Sequence, residues 1–375
     1  LKLLYTNFHT GDGGGHTTYL RILATSFSQL FEVHVAAPPG SRLQREAALI
    51  PGVKVLEQPF PNGLNKLAAR AAARRQLAAY LEAQRFDLVH VNGSADHRLV
   101  LAALPAQRPR IVLTKHNSKP MTGLGHWWRA RQTDAVIAVS EYTRRQLEGT
   151  AYRRCLLATV PNGIDIEHFR PATDAATAEA RAVWTGGHDD RLLLGSNAGT
   201  ADYKGWMDLV EALGLLDPEE RARVRVVVAG VAPKDAVRRR IADLGMAEAV
   251  VFPGLLSDVR PMVAGLDAGF VLSWGVETIS FACREMMAMG KPVMVSDYAG
   301  LPENIRADED GWIVPVRDRR AIADRVRELL RDRARLPAMG RAARAHAEAE
   351  FGLPQFVART EAVYRDVLAA RPTYS

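Results

Sequence analysis

Short apolar runs alternate with stretches of helical periodicity along most of the chain. In the first half the runs are LKLLYTN from Leu1, EVHVAAP from Glu32, VKVLEQ from Val53, DLVHVNG from Asp87, RIVLTKHN from Arg110 and DAVIAVS from Asp134. In the second half they are RLLLGSN from Arg191, VRVVVAG from Val224, AVVFPG from Ala249, AGFVLSW from Ala268, PVMVSD from Pro292 and GWIVPV from Gly311. Helical patterns fall between them: Thr17–Leu30 and Leu64–Arg85, then Gly205–Leu215, Lys234–Leu244, Asp258–Leu266, Ser280–Met289 and Arg319–Arg331. Alternation of strand and helix predicts an α/β fold with parallel sheets covered on both faces. The pattern occurs twice, so two Rossmann-like, doubly wound domains are expected.

At 375 residues the chain is long for one core, which also favours two domains. The boundary is expected in VPNGIDIEHFRP, where Pro161, Asn162 and Gly163 supply turn chemistry. That gives a first domain over 1–162 and a second over 163–354. Beyond Arg333 the chain reads as helix, with 355–375 expected to return to the first domain. No run is long and apolar enough to span a bilayer. LKLLYTNF reads as a first strand and not as a leader, and Cys155 and Cys283 as reduced thiols, so a cytoplasmic protein is expected.

Charge changes the picture unevenly. Residues 1–170 hold 22 Lys+Arg against 12 Asp+Glu, a net +10, while the rest is net −3. A basic half suits anionic lipid, phosphate or nucleic acid, and equally suits arginines on solvated helices. No nucleic-acid module or aromatic platform accompanies it, so no nucleic-acid partner is expected. Leu64–Arg85 carries Lys66, Arg70, Arg74, Arg75 and Arg85, either as a solvated face or as a peripheral contact with anionic headgroups.

Three segments carry candidate chemistry. HTGDGGGHTTYL places Gly11, Gly13, Gly14 and Gly15 between a strand and a helix, either as an anion-binding loop or as a tight turn. It is neither G-x-G-x-x-G nor a P-loop. Lys204 precedes Gly205 in a strand-to-helix loop, where its ammonium either meets a phosphate or lies in solvent. The third segment, WGVETISFACREMMAMGKPVMVSD, puts two carboxylates, Glu277 and Glu285, into an apolar stretch. Glu277 falls in the loop before a helix, where a negative charge also suits the helix dipole. Glu285 falls inside the helix, and Ala282, Met286 and Met289 mark a buried face. The amides from Thr278 to Phe281 are expected at the C-terminal edge of the sheet, where open α/β sheets bind ligands.

Glu277 and Glu285 form an E-x7-E pair, followed by MMAMGKPVMVSDYAGLPENI. This resembles the signature of family 4 retaining glycosyltransferases with the GT-B fold. TKHN, VIAVSEYTRRQL, VPNGIDIEHF, YKGWMDLVEAL and DGWIVPVRD follow the family's landmarks in order. The resemblance implies a nucleotide-diphosphate sugar held in a cleft between two domains, the second binding the nucleotide and the first the acceptor. It implies that Glu285 bonds the ribose and that Lys204 neutralises the diphosphate. Thr278, Ile279, Ser280 and Phe281, with Gly13, Gly14 and Gly15, would complete the phosphate cradle. Asn197 and Gly199 would stand on the donor side, and Gly230 and Phe252 would line the base pocket. Glu277 would orient the transferred sugar, and His116 would lie near the sugar and the acceptor. The implied reaction is a metal-independent, retaining hexosyl transfer, with UDP as the favoured donor nucleotide. The acceptor would be a glycan or a lipid-linked species in surface polysaccharide or lipopolysaccharide assembly.

No cofactor beyond the substrate nucleotide is implied. The triplet Asp308-Glu309-Asp310 reads as a solvated loop and not as a metal site. Two departures stand out. Gly199 occupies the position where the family usually has an arginine, and Ser280 one where many relatives have glycine. The first leaves room for a degenerate nucleotide-sugar-binding partner subunit. An epimerase of similar architecture is the other alternative.

Overall fold

The structure is a computed structural model that describes residues 1–187 and 190–370. Residues 371–375, the end of the segment expected to return to the first domain, lie outside the described residues. The chain divides into two units, one holding Leu1–Gly163 and the chain from Leu353 on, the other Ile164–Gly352.

The first unit is built on β1 (Lys2–Thr6), β2 (Glu32–Ala37), β3 (Val53–Glu57), β4 (Leu88–Val91), β5 (Arg110–Lys115), β6 (Ala135–Ala138) and β7 (Leu156–Thr159). They form one parallel sheet in the order β3-β2-β1-β4-β5-β6-β7. The inner strands are buried on both faces, as parallel strands between helical layers must be. Leu4, Val89, Ile111 and Val136 face one apolar layer; Leu3, Leu88, Val112 and Ile137 face the other. β7 has no counterpart among the expected runs. It is a short edge strand whose first residue, Leu156, is exposed, so its sequence lacks the continuous apolar character of the inner strands.

The helix after β1 runs over Gly14–Phe27, three residues earlier than its apolar periodicity predicts. Gly13 is its N-cap, with φ +69°, and a Cβ there would overlap the Thr17 hydroxyl. Gly14 and Gly15 therefore belong to the helix and not to the preceding loop. The helix Leu353–Ala369 packs against Gly14–Phe27 and β5 within this unit. Its Tyr364 hydroxyl lies 2.6 Å from Nδ1 of the buried His90, whose Nε2 lies 2.5 Å from the Thr114 hydroxyl.

The second unit is built on β8 (Leu192–Ser196), β9 (Val224–Val228), β10 (Val250–Val251), β11 (Ala268–Val271), β12 (Val293–Ser296) and β13 (Gly311–Val314). These also form a parallel sheet, in the order β10-β9-β8-β11-β12-β13. The helix Arg319–Arg331 matches its expected span, and Phe281–Ala288 and Asp235–Asp243 each lose one residue at either end.

The reading of Asp308-Glu309-Asp310 as a solvated loop needs correction. Asp310 is fully buried, its carboxylate accepting from Arg306 Nε at 2.8 Å and lying 2.8 Å from His346 Nδ1. Those partners offset the cost of burying the charge and hold it below its usual ionisation range. Asp308 turns outward at φ +63° and pairs with Arg325.

In each sheet the winding reverses once, between β1 and β4 in the first unit and between β8 and β11 in the second. Open parallel sheets bind ligands outside the C-terminal ends of the strands at such a reversal. The loops that leave these four strands are therefore where chemistry is sought.

Candidate active site

In the second unit, the loop after β8 carries Asn197 and Gly199, and the loop after β11 runs from Leu272 to Ser280. Two side-chain groupings join them. Asn197 Nδ2 donates to Glu285 Oε2 at 2.6 Å. Glu285 sits on the helix Phe281–Ala288, with Met286 on the buried side as its position in the sequence implied. Burial pushes its carboxyl from 4.5 up to about 7, and the Asn197 amide partly opposes that rise. Asn197 Oδ1 is buried and has no hydrogen-bond partner among the described residues, which leaves an acceptor at the same place.

The second grouping is charged. Lys204 Nζ donates to Glu277 Oε2 at 2.9 Å, and Ser273 Oγ donates to the same oxygen at 2.5 Å. Both ionic side chains are largely buried. Removing one partner from such a pair leaves an uncompensated charge, so the pair stands or falls together. Lys204 ends a short turn, Asp202–Lys204, held by a bond from Trp274 N to Tyr203 O at 2.9 Å. Gly205 follows at φ +70°, where a Cβ would overlap the Leu272 carbonyl. Only glycine allows the lysine loop to lie this close to the loop after β11.

Backbone strain marks the same loop. Val276 has φ +61°, a conformation that costs a β-branched residue roughly 1–3 kcal/mol. It precedes Glu277, whose own N–H closes a tight turn onto Gly275 O at 2.8 Å. The strained turn aims the Glu277 carboxylate back at Lys204.

Thr278, Ile279 and Ser280 are buried at the helix start. Ser280 is the N-cap, its hydroxyl accepting from Cys283 N at 3.3 Å. The serine at this position therefore serves the helix itself. Phe281 is half-buried beside the apolar core. Gly199 adopts φ +91° with open space where a side chain would point, so a side chain there would meet no neighbour but would strain the left-handed backbone. Gly230 packs its backbone on Thr200, and its N–H donates to Gly254 O at 2.9 Å. Phe252 stands edge-on to Trp206, with ring centroids 5.4 Å apart. Arg284, unremarked in the sequence, is fully buried, donates to Asn304 Oδ1 at 2.8 Å and lies over the Phe351 ring.

In the first unit, rings from the loop and helix after β1 meet His116, which leaves β5, beside Asn92 at the end of β4. His116 Nε2 lies 2.5 Å from Asn92 Oδ1, which makes Nε2 the protonated nitrogen when the imidazole is neutral. The His16 ring lies 4.2 Å from that of His116, His9 lies 4.6 Å from His16, and Tyr19 meets His116 edge-on. Burial holds all three histidines below their usual range, His16 at about 4 and His116 well below. Gly13, Gly14 and Gly15 lie at the start of the helix that carries His16. Behind them Asp96 accepts from Asn92 N at 2.7 Å and from the Thr6 hydroxyl at 2.8 Å. Its carboxyl is fully buried, and burial pushes it up to about 7, opposed in part by those bonds. His9, His16 and Asn92 were not singled out in the sequence. The available signal was two histidines bracketing the glycines and an asparagine ending a strand.

Two family models match this chain: Glycosyltransferase Family 4 over residues 13–168, and Glycosyl transferases group 1 over residues 190–332. The chain belongs to glycosyltransferase family 4. It is 30% identical over 247 residues to the GDP-mannose-dependent alpha-(1-6)-phosphatidylinositol monomannoside mannosyltransferase of Mycobacterium tuberculosis. That alignment covers 64% of this chain and 63% of the relative, so just under two thirds of the relative is spanned. The protein of the same description from Mycolicibacterium smegmatis is 28% identical over 365 residues, covering 91% of this chain and 92% of the relative. Among solved structures, Anabaena Alr3699/HepE in complex with UDP superposes with a TM-score of 0.83 at 18% identity, covering 98% of this chain and 100% of that one. This family member thus has the two-domain GT-B fold that its strand pattern and motifs implied.

Proposed function

We propose that this family 4 member is an active glycosyltransferase. It moves a hexose, with retention at the anomeric carbon, from a sugar nucleotide to a lipid-linked or glycan acceptor in surface-glycan assembly. The observation that carries this reading is the joining of Asn197–Glu285 and Lys204–Glu277–Ser273 at the winding reversal of the second sheet. Glu285 takes the ribose hydroxyls, and Lys204, with the first-turn amides of Phe281–Ala288, takes the diphosphate. Glu277 exchanges the lysine for hydroxyls of the transferred sugar. His116 stands by as a neutral hydrogen-bonding group for the acceptor side.

In the reaction the bond from the anomeric carbon to the phosphate oxygen breaks. The acceptor oxygen bonds on the same face, and its proton passes to a diphosphate oxygen. Charge grows on the leaving diphosphate, so a fixed ammonium and oriented amides stabilise the transition state more than the ground state. Turnover is expected to persist in the presence of EDTA.

For the donor, the relatives described as GDP-mannose-dependent align better in sequence than the UDP-bound structure, which supports the fold alone. We therefore place GDP-mannose ahead of the UDP-sugar that the sequence favoured. The named lipid substrates of those relatives support a lipid-linked acceptor. Exposed Arg70, Arg74 and Arg75 on the helix Leu67–Gln84 suit anionic headgroups.

Calorimetry with GDP-mannose, UDP-glucose and ADP-glucose, followed by NMR of the anomeric product, tests the reading. One donor is expected to bind and be turned over with retention. Tight nucleotide binding without transfer or hydrolysis would favour the partner-subunit alternative raised by Gly199.

A further inference from the structure

We infer that the helix Leu124–Ala130 is a wedge that seats the first unit on an anionic lipid bilayer. The helix is inside out. Leu124, Trp127 and Trp128, spaced i, i+3, i+4 on one face, are 88%, 46% and 49% exposed. Arg129, on the other side, is only 7% exposed and donates its Nε to Gly125 O at 3.1 Å. A helix in water places its residues the other way round. Arg131 extends the outer stripe by one turn, its guanidinium 4.1 Å from the Trp127 ring centroid.

The ground beside the wedge is open, apolar and basic. A cavity of about 640 Å³ is lined by Met121, Leu124, Trp127, Arg153 and Arg154 among others. Lys119, Arg131, Arg153 and Arg154 are all exposed, and the segments 116–131 and 149–155 contain no acidic residue. The basic surface continues past the wedge. Arg98 is near enough to disfavour charge on both His126 and Arg129, and it lines a second groove with Arg70, Arg74 and Arg75.

Those features choose the occupant. Indole rings combine an apolar body with one polar N–H and settle at the boundary between headgroups and acyl chains. Arginines around them reach phosphates while their stems lie along apolar surface. A basic field whose bordering acid, Glu148, is already paired with Arg144 is complementary to an anionic leaflet. The inference deepens the lipid-linked acceptor reading and rests on it for its purpose.

The test uses the full chain with vesicles of phosphatidylcholine alone and of phosphatidylcholine with phosphatidylglycerol. Binding is expected only to the anionic vesicles, with tryptophan emission shifted to the blue and quenched by lipids brominated in the acyl chains. Trp127→Ala/Trp128→Ala is expected to abolish the quenching and weaken binding about tenfold or more. Leu124→Asp, at a position exposed to solvent, is expected to weaken it severalfold without lowering the melting temperature. Arg153→Glu/Arg154→Glu is expected to weaken it and to remove its salt dependence in part.

Unquenched tryptophans, or vesicle binding unchanged in the tryptophan and leucine variants, would overturn the wedge. So would wild-type self-association in sedimentation velocity that the tryptophan variant abolishes, because the patch would then cover a second copy of this chain. Transfer to a water-soluble acceptor, measured in parallel, separates the two failures. If transfer persists while vesicle binding is absent, the wedge is wrong and the enzymatic reading stands.

Discussion

The two loop clusters at the winding reversals share one topology and opposite electrostatics. In the first unit the histidines are neutral, held below their usual range by burial, and an aspartate is pushed up to about 7. In the second unit a lysine and a glutamate are paired under little solvent, beside a glutamate also near 7. A leaving diphosphate demands fixed positive charge, whereas an acceptor hydroxyl needs hydrogen-bonding groups that do not take its proton early. The same βαβ scaffold thus supplies either environment through the residues placed on two loops.

Lys204→Ala should break this contrast most severely. It removes the cation and strands the Glu277 carboxylate, and turnover is expected to fall by about 10²–10³. Steady-state transfer, with melting measured alongside, checks this. Near-normal turnover would mean that the charged cluster does not serve the leaving group. His116→Ala is expected to lower transfer by about 10² while leaving nucleotide affinity unchanged. Calorimetry with the free nucleotide separates the two, and a matching loss of affinity would erase the distinction between the clusters.

Glu285→Gln should weaken nucleotide binding by about tenfold, near the value of one hydrogen bond to a charged acceptor. It also tests pH dependence. The unliganded carboxyl titrates near 7, and ribose hydroxyls favour the ionised form. Wild-type affinity should therefore rise with pH through 7 and level off above it, with the slope reduced in the glutamine variant. For stability the sign is reversed. A carboxyl raised from 4.5 to about 7 on folding binds its proton more tightly in the native state, so its contribution declines as pH climbs across that interval. The smallest effect is expected for Gly199→Ala. The space is open, so only the left-handed backbone resists, at about 1 kcal/mol, readable as a drop of a few degrees in melting temperature.

What was legible in the chain follows from range. Buried parallel strands announce themselves locally, and twelve of them were read as apolar runs; β7 escaped because an edge strand needs less apolar surface. Glu277, Glu285 and Lys204 were visible as polar residues in apolar or glycine-bounded settings. Their partners were not. That Lys204 reaches Glu277 depends on Gly205 meeting Leu272, a contact between residues far apart in the chain. Asp310 looked solvated because its neighbours are acidic, and only folding brings His346 to it. The wedge was hidden for a different reason. Leu124, Trp127 and Trp128 have the spacing of a core-facing stripe, and nothing local says that the stripe points outward.

The resting Lys204–Glu277 pair has a consequence for selectivity. Inorganic phosphate or sulfate arriving alone must pull the lysine from a partner already 2.9 Å away and offers that partner nothing in return. A sugar nucleotide brings both halves of an exchange, a diphosphate for the ammonium and hydroxyls for the carboxylate. On the proposed donor reading, the ion pair is a counterion held in trust, surrendered only to a ligand that replaces it at both ends.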